Sequence, residues 1–212
     1  MKKVVLALIA VVAVAIIIVV YFTYFQEKAS KYDLKGKKVL IVIFKGYNSI
    51  EYETTKNYLK KCKASITVLA LHEDVGTEYD VYVGDVKDFN KLAEEYDAVV
   101  FIGGPGVYSR VLGQVKDGSV ERATQIALAF YSKNKIVAAI CAAPGVLAHA
   151  DILKGVKATC FPDTKLIDFI KSKGAEYVAK DVVKDGNIIT AKGPAAAKAF
   201  AEKIAETLSG ET

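Results

Sequence analysis

Three short apolar runs constrain this chain more than any other feature: Lys38-Val-Leu-Ile-Val-Ile-Phe44, Asp97-Ala-Val-Val-Phe-Ile102 and Ile136-Val-Ala-Ala-Ile140. Runs this short, bounded by turn residues, read as buried strands. Further strand-like runs fall at 66–71, 81–83, 157–160, 176–178, 182–183 and 188–191. Between several of them lie amphipathic helical stretches at 50–63, 89–96, 119–133, 166–173 and 195–208. Such alternation implies βαβ crossovers and an α/β fold, with a mainly parallel sheet carrying helices on both faces. Lys184-Asp185-Gly186-Asn187 reads as a tight hairpin turn, so the last strands include an antiparallel pair.

Each of the three runs delivers chemistry at its C-terminal end. The third run ends on Cys141, followed by Ala142, Ala143 and a helix-opening Pro144. This is a strand, a sharp turn and a helix with a thiol at the apex. The helix start aims N–H groups at the sulfur and favours a thiolate, the reactive form of cysteine. The competing reading is a buried cysteine at a strand end, and that segment alone leaves both readings open. The second run leads into Gly103-Gly104-Pro105-Gly106, where only glycine lets a backbone amide approach a neighbour closely. The first run leads through Gly46 to Glu51 at the start of a helix. In an open parallel sheet the ligand crevice lies outside the strand C-termini, so these loops converge on one candidate site.

Composition narrows the function classes. The 212 residues hold enough for one α/β domain beyond an apolar N-terminal segment. The net charge of +5 is modest, the lysines are scattered, and Arg110 and Arg122 are the only arginines, so nucleic acid is not an expected partner. Cys62, Cys141 and Cys160 are an odd count that argues against a disulfide framework. No metal-ligand spacing and no phosphate-binding fingerprint occur, so neither a metal nor a cofactor is expected. Residues 4–22 form an uninterrupted apolar run, long enough to span a bilayer and longer than a signal-peptide core. The reading is a single-pass anchor over 1–25, with a signal sequence as the alternative, a polar linker over 26–37 and a domain over 38–210. Lysines flank both ends of the run, which leaves the side of the membrane open.

Together these segments resemble the ThiJ/PfpI superfamily, which includes the Parkinson-disease redox protein and the archaeal intracellular proteases. The resemblance rests on Ala139-Ile-Cys-Ala-Ala-Pro-Gly-Val-Leu-Ala-His149 and on Asp185-Gly-Asn-Ile-Ile-Thr-Ala-Lys-Gly193-Pro194, and runs from about Lys37 to Leu208. It implies a flavodoxin-like three-layer sandwich and a homo-oligomer. It implies Cys141 as nucleophile, Glu51 as its carboxyl partner, and the amides of Gly104 and Ala142 as an oxyanion hole. Protease-like members carry a histidine directly after the nucleophile, where this chain has Ala142, and other members carry one where it has Phe161. His149, two helical turns past Cys141, is expected to serve helix packing, and His72 to lie on the surface. The expected function is cofactor-independent attack of the Cys141 thiolate on small reactive carbonyls, glyoxalase- or deglycase-like, or a part in oxidative-stress response. The alternatives are a peroxide sensor or chaperone-like protein, and a cysteine peptidase of the PfpI type.

Overall fold

The computed structural model describes residues 31–210. In chain order the elements are β1 (Lys38–Ile43), α1 (Ser49–Lys61), β2 (Ser65–Ala70), β3 (Val81–Tyr82), α2 (Phe89–Glu94), β4 (Ala98–Phe101), α3 (Pro105–Val111), α4 (Ser119–Ser132), β5 (Ile136–Ile140), α5 (Pro144–His149), β6 (Lys157–Ala158), α6 (Thr164–Ser172), β7 (Glu176–Tyr177), β8 (Val182–Asp185), β9 (Ile188–Ala191) and α7 (Ala197–Ser209). The main sheet has seven strands in the order β3-β2-β1-β4-β5-β9-β8. Every pairing in it is parallel except β8 with β9, the antiparallel hairpin closed at Gly186.

Burial explains the apolar runs. Val39 to Ile43, Ala98 to Phe101 and Ile136 to Ile140 are buried throughout, because helices cover both faces of the sheet. From β1 the chain crosses to β2 through α1, and from β4 it crosses the opposite way to β5. Right-handed crossovers in opposite directions put the connecting helices on opposite faces. Accordingly α1 packs with α7, while α4 packs with α2 and α5. The reversal lies between β1 and β4, so the crevice that a doubly wound sheet opens there faces the loops after β1 and β4. This is the α/β architecture expected from the alternation, and it has the flavodoxin-like form that the family resemblance implies.

Three details differ from the sequence reading. The run at 157–160 does not join the main sheet: β6 and β7 make a separate parallel pair. That pair is tied to the main sheet by Lys157 N–H to Asp185 Oδ2 and Thr159 N–H to Thr190 Oγ1. The glycine-rich turn after β4 continues into α3, with Pro105 in its first turn, where the missing N–H costs nothing. The compact unit also begins at Tyr32 rather than at 38. Tyr32 and Leu34 are core residues, and Leu34 N–H donates to the Cys62 carbonyl.

The expected membrane localisation is corrected here. No helix among the described residues is long and apolar enough to cross a membrane. The longest, α4, has 14 residues and so spans about 21 Å, against the ~30 Å of a hydrocarbon core. The run 4–22, on which the anchor reading rests, lies outside the described residues, and no anchor enters the functional account.

Replacing Leu34 with Ala tests whether residues 32–37 belong to the packed domain. Urea denaturation is expected to show a loss of about 2–5 kcal/mol, the range for a truncated buried leucine. A loss under about 0.5 kcal/mol would mark the segment as an unpacked linker.

Candidate functional site

Cys141 follows β5 with a left-handed backbone, φ 63°. A residue with a Cβ adopts that conformation only at a cost of roughly 1–3 kcal/mol, so the surroundings must impose it. Two hydrogen bonds do. Cys141 N–H donates to the Ala191 carbonyl at the end of β9, at 2.8 Å. The Cys141 carbonyl accepts from Phe161 N–H, also at 2.8 Å. The apex is thus pinned by β9 on one side and by the loop after β6 on the other, and it is 8% exposed whereas Cys62 and Cys160 are fully buried.

Glycine clears the space beside it. A Cβ on Gly103 would sit 2.5 Å from both the Cys141 Cβ and the Ile140 carbonyl oxygen. Gly104 has φ 137°, and a Cβ there would meet Asn48 N at 2.5 Å. Gly104 is therefore required both by its backbone angle and by contact with the first loop.

Glu51 reaches the site through an altered helix cap. Asn48 is the N-cap of α1 and accepts from Glu51 N–H at 3.1 Å. In a capping box the side chain at Glu51's position would turn back to the cap's own amide. Here the Asn48 N–H donates instead to the Gly103 carbonyl, at 2.8 Å. This frees the Glu51 carboxyl to turn inward, and its Oε2 accepts from Gly103 N–H at 3.1 Å. Its Oε1 is buried with no conventional partner, which leaves the Cys141 thiol as the other polar group acting on the carboxyl.

The electrostatics of this pair revise the idea of a simply activated thiol. Burial pushes the Glu51 carboxyl up to about 7, against the pull of the thiol and the Gly103 amide. Burial also raises the Cys141 thiol, and the Glu51 carboxylate raises it further. The amides of Ala142 and Gly104 bear on the sulfur and pull the other way. A thiolate beside an ionised carboxylate is therefore disfavoured. Once the carboxyl is protonated the repulsion is gone, and its O–H can donate to the sulfur. The two groups therefore titrate as a coupled pair. The expected contribution of α5 is small, since that helix has only six residues.

The sulfur borders a cavity of about 390 Å³ lined by Asn48, Gly104, Pro105, Tyr108, Cys141, Ala142, Phe161, Asp163 and Pro194. The structure thus brings together all four residues singled out from the sequence: Cys141, Glu51, Gly104 and Ala142. Asn48, Tyr108 and Asp163 went unnoticed there. Asn48 carried a signal, as a capping residue just before a helical stretch. Tyr108 and Asp163 are 55 positions apart and meet only in the fold, where the Tyr108 hydroxyl donates to Asp163 Oδ1 at 2.8 Å.

Neither histidine lines the cavity. His149 bonds through Nε2 to the Val111 carbonyl at 2.9 Å and stacks on Phe169, the packing role expected of it. His72 is drawn further inward than a surface residue. Its Nε2 lies 2.9 Å from Asp117 Oδ2, and its Nδ1 accepts from Lys45 N–H. Asp117 also accepts from Arg110 Nε at 2.8 Å, and Arg110 Nη1 donates to the Lys45 and Gly106 carbonyls. This cluster clamps the loop after β1 to the loop after β4. Cys160 is buried, its thiol donating to the Phe161 carbonyl, and burial pushes it up to about 12, followed by the Asp163 charge.

The model of the DJ-1/PfpI family matches residues 37–207. The chain is 34% identical to Protein DJ-1alpha of Drosophila melanogaster, over 85% of this chain and 82% of that protein. It is 30% identical to a deglycase of Pyrococcus abyssi, over 74% of this chain and 90% of the relative. With an uncharacterised protein of Methanocaldococcus jannaschii it shares 40% identity, but the match spans only about half, 53%, of that protein's length. Among solved structures, a ThiJ/PfpI domain protein from Brachyspira murdochii superposes with a TM-score of 0.70 at 27% identity, covering 84% of this chain and 99% of that one.

Gly103→Ala places a methyl group inside contact distance of the elbow. Thermal unfolding is expected to show a loss of about 2 kcal/mol or more, with slower alkylation of Cys141. Wild-type stability and labelling in that variant would mean that the approach of Gly103 to the elbow is not required.

Proposed function

The chain belongs to the DJ-1/PfpI family, and from that premise we propose that it acts on small reactive carbonyl compounds through Cys141 and Glu51, in a glyoxalase- or deglycase-like reaction. One observation carries the reading: a carboxyl held near neutrality lies against a thiol on the wall of a mostly apolar cavity. A group poised near the working pH is suited to both giving and taking a proton. The relative from Pyrococcus abyssi that is named a deglycase adds support at family level.

The chemistry needs no group beyond these residues and water. The Cys141 thiolate attacks the aldehyde carbon of a 2-oxoaldehyde and forms an S–C bond. The π electrons of the carbonyl move to its oxygen, which takes the Glu51 proton and completes a hemithioacetal. The amides of Gly104 and Ala142 are the donors for the negative charge developing on that oxygen. Ionised Glu51 then takes the proton from the attacked carbon, whose bonding electrons form the double bond of an enediolate, and returns it to the neighbouring carbon, while the hydroxyl proton on the first oxygen passes to the second. The resulting thioester is cleaved by water, releasing a 2-hydroxy acid and the thiol. Peptidase chemistry is disfavoured in a single chain, because both histidines are engaged elsewhere and Cys141 has no imidazole base.

Turnover of methylglyoxal to lactate tests this reading. Cys141→Ser is expected to abolish it, and Glu51→Gln to lower kcat by roughly 10²–10⁴-fold, the range for a lost acid–base group. Turnover surviving both substitutions would overturn the proposal.

A further inference from the structure

We propose that Asp163 sets the charge class of the substrate, so that the cavity over Cys141 takes neutral or cationic carbonyl compounds and rejects those bearing a carboxylate or phosphate. The inference rests on the carbonyl reading above and adds to it which carbonyls the site accepts.

Asp163 stands in the cavity wall as a fixed anion. Its Oδ1 accepts from the Tyr108 hydroxyl at 2.8 Å and from Leu166 N–H at 3.1 Å, as the N-cap of α6. Tyr108 lines the same cavity. These two donors hold the carboxyl below the usual carboxylate range, so it is ionised at neutral pH. The carboxylate is thus fixed by a helix cap on one side and a tyrosine on the other.

No cation offsets it inside. Among the described residues lining the cavity there is no lysine, arginine or histidine. Lys165 is the counter-charge that acts on Asp163, and it is exposed and outside the lining. The remaining lining is apolar side chains, glycine and alanine backbone, Asn48, the Tyr108 phenol and the thiol itself. A carboxylate or phosphate entering this space meets a like charge in the cavity wall. An ammonium or guanidinium group meets a partner. A neutral dicarbonyl meets neither.

A thiol-labelling experiment on the full chain separates this inference from the catalytic reading. Cys141 is modified with 2-(trimethylammonio)ethyl methanethiosulfonate, a cation, and with 2-sulfonatoethyl methanethiosulfonate, an anion of similar reach. Rates at Cys141 are read by peptide mass spectrometry. Asp163→Asn keeps a capping side chain and removes the charge, and is expected to lower the cation-to-anion rate ratio roughly tenfold. Tyr108→Phe removes the tyrosine hydrogen bond but keeps the charge, and is expected to leave the ratio within about twofold. An unchanged ratio in Asp163→Asn, or an equal change in Tyr108→Phe, would overturn the inference. Turnover supplies the second arm: wild type should favour methylglyoxal over 4,5-dioxopentanoate, a 2-oxoaldehyde that bears a carboxylate, and Asp163→Asn should narrow the gap. Charge-selective labelling without turnover of either carbonyl would uphold the role of Asp163 and reject the carbonyl reading. Methylglyoxal turnover with a gap that Asp163→Asn leaves intact would do the reverse.

Discussion

The left-handed backbone at Cys141 is the constraint on which the site depends. At φ 63° the residue is strained, and the fold holds it there through the Ala191 carbonyl on one side and Phe161 N–H on the other. The two anchors belong to segments that follow Cys141 in sequence by 20 residues or more. The segment carrying Phe161 is itself fixed by the Thr159–Thr190 hydrogen bond. The elbow is therefore a product of the assembled sheet and not of its local sequence. Gly103 exists to make room for it, and Gly103 is also where the second loop meets the first. Its carbonyl accepts from Asn48 and its amide donates to Glu51, so one glycine couples the thiol, the carboxyl and the helix cap.

That coupling works against stability. A carboxyl whose value rises from 4.5 unfolded to about 7 folded favours the folded state most in acid. Its contribution is fully present below 4.5 and is lost as pH rises through 7. Above neutrality the fold carries an ionised, buried Glu51 at a cost of order 3 kcal/mol relative to acid. A glutamine in its place would spare that cost. What the carboxyl supplies is a transferable proton beside a nucleophile, which an amide cannot. The proposed reaction thus rests on a local departure from the most stable arrangement.

Much of this was legible in the sequence. Apolar runs buried on both faces announce their strands, and the order of strands, glycine turn and elbow locates Cys141, Gly104 and Glu51 at strand ends. The hairpin at Gly186 follows from its turn residues. What escaped depends on contacts distant in sequence. The run at 157–160 has strand character, but only tertiary contacts send it to a separate two-stranded sheet. Tyr32 and Leu34 sit among lysines and read as linker, although they fill the core. The Tyr108–Asp163 pair, the Asp117–Arg110–His72 clamp and the mutual influence of Glu51 and Cys141 join residues that no local pattern relates. The last of these matters most, because a helix start after a cysteine suggests an activated thiolate, whereas burial and a neighbouring carboxylate oppose it.

The central claim is that Glu51 and Cys141 titrate as a coupled pair, and the pH dependence of Cys141 alkylation by iodoacetamide tests it most directly. Loss of the first proton from the pair leaves some molecules with a protonated carboxyl and a thiolate; loss of the second leaves both groups ionised. The wild-type labelling rate should therefore rise in two steps, the first near the Glu51 value of about 7 and the second well above it. Glu51→Gln should show one step, below the upper wild-type step because the carboxylate charge is gone. A single step at the same pH in both proteins would show that the two groups titrate independently and would contradict the account.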